Sequence, residues 1–254
     1  MITSLISCSS RFYMKEFPVA DNVKNEKKPK IVYMGFRTFE SKVTGSSGRS
    51  TSYTAELNYG KRTIPKLESG VFIDQLKSNG FRSDVSSDQV KAFIADYLGE
   101  VKVSGSKELS YLIEVEKING NSVFKLRNFP VNYYVMGIHG PAFAKASNVG
   151  IEILYGISTL FSIVTLGLIP SYSSEIAKTE VKIYDKNLKL VNKLEYDNSY
   201  SFVSAVWIFP NPGHCTLLKC LPEKVSSPPD YIYSGMGPRI EEDVLRVVQN
   251  SPTN

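Results

Sequence analysis

The sequence has few of the residue types that most enzyme active sites use. It contains two histidines, His139 and His214, three cysteines and one tryptophan among 254 residues. The GxSxG, HExxH, EF-hand and phosphate-loop patterns are absent. Because a nucleophilic enzyme needs a histidine base beside its nucleophile, we predict no catalytic residue, no metal and no cofactor. The alternative is a soluble enzyme or small-molecule carrier that uses a pocket near His139 or His214.

An excess of charge of one sign is also missing. Thirty basic residues against 25 acidic ones give a net charge of +5, well below the density of a dedicated nucleic-acid binder. We therefore expect no nucleic-acid partner. The chain has no Asn-x-Ser/Thr acceptor, so nothing indicates a glycosylated protein. Its 42% of hydrophobic residues can build one large domain or two small ones.

Two of the three cysteines lie close together in the segment GHCTLLKC. In an oxidising compartment, a disulfide between Cys215 and Cys220 would close a small loop, and we expect this bridge. The alternatives are two free thiols or a zinc site that includes His214. The zinc site lacks a standard ligand spacing and a nearby fourth ligand.

Periodicity predicts an α+β fold in which a mixed or mainly antiparallel sheet has two helices on one face. The segment KIVYMGF is apolar on both faces and predicts a buried strand. A Ser/Thr/Gly-rich loop is expected over 38–52, a helix over Leu67–Ser78, and a short strand at FRSDV. The S-x-x-Q pattern that begins at Ser86 predicts a capped helix over Asp88–Leu98.

Turn chemistry predicts two β-hairpins and a short carboxy-terminal helix. The first hairpin is ELSYLIEVEKINGNSVFKLRNF, with its turn at Asn119-Gly120. The second is KTEVKIYDKNLKLVNKLEY, in which Val181 and Ile183 are expected to face Leu188 and Leu190 across the turn. FVSAVWIFP then predicts an edge strand of the core, and the Pro-rich 211–229 segment an irregular stretch. PRIEEDVLRVVQN predicts the terminal helix.

An uncharged apolar run lies between the two hairpins. From Ile153 to Ile169 it has seventeen residues without a charge, the lower limit for crossing a hydrocarbon core of about 30 Å. We expect an apolar helix within 149–170 that is inserted in a membrane, lies on one, or is buried in the core. A pair of strands is a further alternative.

The amino terminus resembles part of an export signal. The stretch Leu5-Ile6-Ser7-Cys8 resembles a relaxed lipobox, the site at which bacterial lipoproteins are cut just before a cysteine that then carries acyl chains. Residues 1–8 are too short for a whole secretory signal, so we interpret them as a truncated one, followed by a charged tether over 9–30. The alternative is an ordinary terminus with a chance cysteine. The lipobox interpretation makes Cys8 the lipidated residue.

The LISCSS start, the strand-helix-strand pattern and the TLGLIP segment before a hairpin together resemble small bacterial envelope lipoproteins of unassigned function. This resemblance implies a palmitoylated protein of the cell envelope with a binding or structural role, on the inner or the outer membrane. It implies contact with the lipid bilayer through Cys8 and the 153–169 segment, an unknown protein partner, and no catalytic residue. The remaining chain divides into an α/β unit over 31–148 and a hairpin, Pro-rich segment and helix over 171–254, and 31–254 can be one domain.

Overall fold

A mixed sheet of seven strands forms the centre of the fold. The computed structural model describes residues 9–14, 29–47, 50–64, 66–118, 120–146, 149–208, 228 and 230–251. Within these residues the strands, in chain order, are β1 (Ser9–Met14), β2 (Ile31–Gly35), β3 (Phe39–Ser47), β4 (Ser50–Leu57), β5 (Gly70–Phe72), β6 (Ile113–Ile118), β7 (Asn121–Leu126), β8 (Tyr133–Ala146), β9 (Ser171–Asp185), β10 (Leu190–Asp197) and β11 (Tyr200–Ala205). The helices are α1 (Ser87–Val101), α2 (Ser106–Leu112), α3 (Val149–Val164), α4 (Asp230–Ser234) and α5 (Gly237–Asn250), with short 3₁₀ helices at Ile73–Gln75 and Lys102–Gly105.

The central sheet mixes parallel and antiparallel pairs. Its strand order is β1-β11-β9-β8-β2-β5, and β10 also pairs with β9. β2 runs parallel to both β5 and β8, and the other pairs are antiparallel. Strands β3 and β4, and strands β6 and β7, form two separate hairpins. The predicted α+β class with a mixed sheet is confirmed.

The two faces of the sheet carry separate hydrophobic cores. All five residues of β2 are buried, as the KIVYMGF pattern predicted. Val32 and Met34 pack in the core that includes α1 and α2, whereas Ile31 and Tyr33 pack with α5 on the opposite face. Side chains alternate across a strand, so a central strand covered by helices on both faces must be apolar at every position.

The two helices with clear terminal signals form where the sequence places them. Ser86 accepts a hydrogen bond from the backbone N–H of Gln89, and the Gln89 side chain accepts one from the backbone N–H of Ser86. This capping box starts α1. α5 begins at Gly237 with a proline in its first turn and buries Ile240, Val244 and Val248 against the sheet.

The helix predicted over Leu67–Ser78 is wrong. Residues 70–72 form strand β5, which pairs in parallel with β2, and only Ile73–Gln75 is helical. A Cβ atom at Gly70 would lie 2.4 Å from the carbonyl oxygen of Ile31, so the glycine permits this close pairing. Burial of Phe72 in the sheet outweighs the helical spacing of the segment. FRSDV contributes only a single bridge, Phe81 to Arg127, in place of the predicted strand.

Four further expectations about strands require correction. The predicted loop over 38–52 is instead the β3–β4 hairpin, and residues 9–14 of the predicted tether form β1. The FVSAVWIFP segment contributes to β11, which lies between β1 and β9 and is not an edge strand. Val181 faces Leu194, because Leu188 lies in the turn with a φ of 60° and the register of β10 shifts after Leu190.

The two predicted hairpins are otherwise confirmed. β6 pairs with β7, and Gly120 in their turn has a φ of 81°. β9 pairs with β10 across the Asp185–Lys189 turn. The residues assigned to the start of the first hairpin instead form α2.

Candidate functional site

His139, the one histidine among the described residues, is buried between polar partners. Its Nε2 atom lies 2.6 Å from Thr63 Oγ1, and its Nδ1 atom lies 3.0 Å from Thr179 Oγ1. The ring of Tyr233 stacks on the imidazole, with 4.0 Å between ring centroids. Burial lowers the pKa of His139 to about 3.

The hydrogen-bond network determines which nitrogen of His139 carries the proton. Thr63 Oγ1 donates to the carbonyl oxygen of Phe36, so its remaining capacity toward His139 is that of an acceptor. The Nε2–H group therefore donates to Thr63, and Nδ1 accepts from Thr179, whose oxygen also accepts from Asn198 Nδ2. Both ring nitrogens are used, and neither is free to act as a base.

A second buried polar cluster lies at the carboxyl end of β2. Glu108 is fully buried, and it accepts hydrogen bonds from Arg37 Nε at 2.8 Å and from Arg62 Nη2 at 2.6 Å. Arg62 also pairs with Asp74 at 2.8 Å. Sequence reasoning missed this cluster, since its members lie far apart in the chain with no motif linking them. Its hydrogen bonds join β2, the segment after β4 and α2, which is a structural role.

The face of α3 that packs against β9 is mainly polar. The half-buried residues on this inner face are Ile151, Tyr155, Ser158, Thr159 and Ser162. Ser158 Oγ accepts a hydrogen bond from the backbone N–H of Tyr172 at 3.1 Å and donates to the carbonyl oxygen of Tyr155. Small polar residues of this kind are typical of helices that pack within membranes.

The outer surface of α3 is apolar and exposed. Its exposed apolar side chains are Val149, Ile153, Leu154, Ile157, Leu160, Phe161, Ile163 and Val164, each 49 to 79% exposed. No residue of α3 is buried, so the buried-helix alternative for this segment is wrong. A helix of a water-soluble domain turns its apolar stripe to the core, whereas α3 turns its polar stripe inward.

The apolar surface continues past the end of α3 into a tip formed by Leu166, Leu168, Ile169 and Trp207. All four of these side chains are exposed. Trp207 Nε1 donates to the carbonyl oxygen of Leu168 at 2.7 Å, and the Val206 N–H donates to the carbonyl oxygen of Gly167 at 3.1 Å. The chain after β11 is therefore fastened to the turn that follows α3.

Strand β1 brings the start of the described chain to the same tip. Ser9 lies opposite Ala205, the residue before Val206. In the sequence, Cys8 directly precedes Ser9. Cys8 itself, Cys215, Cys220 and His214 lie outside the described residues, so the predicted lipidation, disulfide and zinc alternatives stay predictions.

Comparison with protein-family models, curated proteins and solved structures found no match to this chain. The site must therefore be interpreted from its geometry alone.

Among the described residues, no helix has both the length and the apolar character needed to cross a bilayer. α3 has sixteen residues and measures about 24 Å at 1.5 Å per residue, less than the roughly 30 Å hydrocarbon core.

Proposed function

We propose that this protein is a membrane-anchored protein of the bacterial cell envelope with a binding role, held to the bilayer by acyl chains on Cys8 and by α3. The inverted polarity of α3 is the observation that carries the proposal. Its half-buried polar side chains face the sheet, where Ser158 accepts a hydrogen bond from Tyr172 of β9, and its apolar side chains face outward. A bilayer supplies the apolar surroundings that the outer surface lacks in water.

The energetics favour two anchoring elements that act together. Burying one half-exposed Val, Ile, Leu or Phe side chain contributes on the order of 1 kcal/mol. The eight exposed apolar side chains of α3 therefore offer about 8 kcal/mol before any ordering cost. A single acyl chain on Cys8 would bind a membrane only marginally, whereas two or more chains would anchor the protein stably. α3 is the second signal that one chain requires, and it adds to the affinity when more than one chain is present.

The position of Ser9 supports the joint arrangement. Ser9, the residue that follows Cys8 in the sequence, lies opposite Ala205 at the end of the molecule where the apolar tip lies, so lipidation of Cys8 and insertion of the tip are compatible with one membrane surface. Indole rings favour the boundary between headgroups and hydrocarbon, which is where this geometry would place Trp207. The alternative of an enzyme or carrier that uses His139 gains no support, because both ring nitrogens are occupied.

Flotation with vesicles of phosphatidylethanolamine and phosphatidylglycerol tests the role of α3. The full chain, expressed without acylation, is compared with a Leu160→Ser/Phe161→Ser variant and with a Val103→Ser/Val115→Ser control. The control removes exposed apolar side chains elsewhere on the protein. We expect the original chain and the control to float, and the α3 variant to stay in the dense fraction. Equal flotation of all three proteins, or of none, would contradict the role of α3.

A soluble oligomer that the α3 variant converts to monomer would show that a second copy covers α3, and would also contradict the proposal.

Intact-mass measurement of native material tests acylation separately. We expect a mature protein that begins at Cys8 with added acyl mass, and no such mass in a Cys8→Ala variant. An unmodified Met1 on native protein that salt washes off membranes would refute the lipid anchor.

A further inference from the structure

A basic cleft lies at the opposite end of β9 from the apolar tip, beside the ends of the central strands β2 and β8. It has a volume of about 350 Å³ and is lined by Lys30, Arg82, Asn128, Phe129, Pro130, Val131, Asn132 and Lys186. These residues come from the segment just before β2, the segment before α1, the segment between β7 and β8, and the β9–β10 turn. The volume lies in the range of small-molecule sites.

The lining residues carry three cations and no carboxylate. Arg82 pairs with Asp84 outside the cleft, which offsets its charge. Among the described residues, neither Lys30 nor Lys186 forms a direct ion pair, although the charge of Lys186 lies near enough to Asp84 to help the Arg82 hydrogen bond lower the pKa of that carboxyl. Two ammonium groups beside one cleft favour an anionic ligand, and a dianion can contact both.

Hydrogen bonds hold the walls of the cleft in place. Lys30 and Asn132 are joined twice: Asn132 N–H donates to the carbonyl oxygen of Lys30 at 2.8 Å, and Lys30 N–H donates to Asn132 Oδ1 at 3.2 Å. The second bond uses the amide oxygen of Asn132 and leaves its NH₂ group to donate elsewhere. On the opposite wall, Arg82 donates to the carbonyl oxygen of Lys186 and, at 2.9 Å, to Asn187 Oδ1. Arg82 therefore holds the β9–β10 turn, which carries Lys186, in position.

We propose that this cleft binds a small organic phosphate, a phosphomonoester dianion. The ammonium groups of Lys30 and Lys186 neutralise the phosphate, and the amides of Asn128 and Asn132 donate hydrogen bonds to its oxygens. Phe129, Pro130 and Val131 provide an apolar surface for the organic part of the ligand. The proposal adds a ligand class to the binding role, and the cleft itself does not depend on α3.

The distance between the cleft and the tip bears on whether the phosphate belongs to a dissolved molecule or to a lipid headgroup. β9 runs from Ser171, beside the tip, to Asp185, beside the cleft, and its fifteen residues span about 45 Å. Electrostatic screening in physiological salt acts over about 8 Å. If the apolar tip lies in the membrane as proposed above and β9 points away from it, the cleft lies beyond the reach of headgroups in that bilayer and faces a dissolved ligand.

Titration calorimetry of the full chain with phenyl phosphate tests the site, with inorganic phosphate and neutral benzyl alcohol as companion probes. We expect phenyl phosphate to bind more tightly than inorganic phosphate, and benzyl alcohol not to bind. Lys30→Ala and Lys186→Ala should each weaken phenyl phosphate binding about tenfold, the equivalent of one charge-assisted hydrogen bond. Lys117→Ala, which removes an exposed lysine on β6, should leave the affinity unchanged.

Absence of phenyl phosphate binding, or equal loss of binding in the Lys117→Ala control, would overturn the proposal. Binding of phosphatidic acid vesicles through Lys30 and Lys186 without binding of phenyl phosphate would assign the cleft to a lipid surface and also overturn it. Flotation through α3 is measured independently, so a failed titration leaves the anchoring proposal standing, and a failed flotation leaves the phosphate site standing.

Discussion

Acidification is expected to destabilise the fold through His139. The folded protein holds this imidazole neutral, with its pKa lowered to about 3 by burial, against an ordinary value of 6.5. The unfolded chain therefore binds the proton more readily between these two values. The contribution of His139 to stability is complete above pH 6.5 and is lost as the pH falls toward 3. At about 1.4 kcal/mol per pKa unit, the whole window amounts to about 5 kcal/mol, of which about half is lost by pH 4.5.

Urea unfolding at a series of pH values measures this effect. The His139→Gln variant is the control, because carboxylates also titrate in this range and only the difference between the two pH profiles belongs to the histidine. We expect a steeper loss of stability in the original chain between pH 6.5 and 4.5. Nuclear magnetic resonance of the ring nitrogens should show the Nε2–H tautomer at neutral pH. A His139 signal that titrates near pH 6.5 in the folded protein would refute the reasoning.

Three substitutions, two of them with matched controls, test other parts of the fold by denaturant unfolding. Glu108→Gln should cost about 3 kcal/mol, because it removes the buried anion that Arg37 and Arg62 share and leaves Asp74 as their remaining carboxylate. The control Glu56→Gln, at an exposed pair, should cost less than about 1 kcal/mol. Gly35→Ala should cost about 2 kcal/mol or more, since its φ is +78° and a Cβ would lie 2.1 Å from a carbonyl oxygen of β8. Gly99→Ala, inside α1 with open space around it, should stabilise by about 0.5 kcal/mol or more. Ser86→Ala should cost about 1 kcal/mol through loss of the capping box. Equal effects of Gly35→Ala and Gly99→Ala on stability would contradict the backbone geometry at Gly35. Unchanged stability of the Ser86→Ala variant would contradict the capping box.

Local signals were sufficient where a segment's structure is determined by its own residues. The capping box at Ser86 and the apolar spacing after it predicted α1, and the turn around Gly120 predicted the β6–β7 hairpin. The helix expected over Leu67–Ser78 failed because pairing with β2, far away in the chain, determines the conformation of those residues. Secondary-structure propensity is a weak constraint when tertiary contacts oppose it.

The candidate sites likewise differ in how far local sequence determines them. The apolar run over 153–169 was evident in the sequence, but its composition alone left open a membrane-associated helix, a buried helix and a pair of strands. The polar spacing of Tyr155, Ser158 and Ser162 is the signal that distinguishes them, because it marks the stripe that packs inward. The basic cleft had no sequence signature, since Lys30, Asn132 and Lys186 are brought together only by the register of β2, β8 and β9.

If the chain is anchored at the tip as proposed, strand β9 has a mechanical consequence. It pairs with β8 from Glu175 to Asp185, with β11 near the tip and with β10 near the cleft. A force applied between the anchored end and a ligand in the basic cleft would act along this strand and would load its interstrand hydrogen bonds in shear. Hydrogen bonds loaded in shear must break together, whereas bonds loaded from one end open in sequence like a zipper. In that arrangement the fold would resist tension between the proposed membrane anchor and a ligand in the cleft.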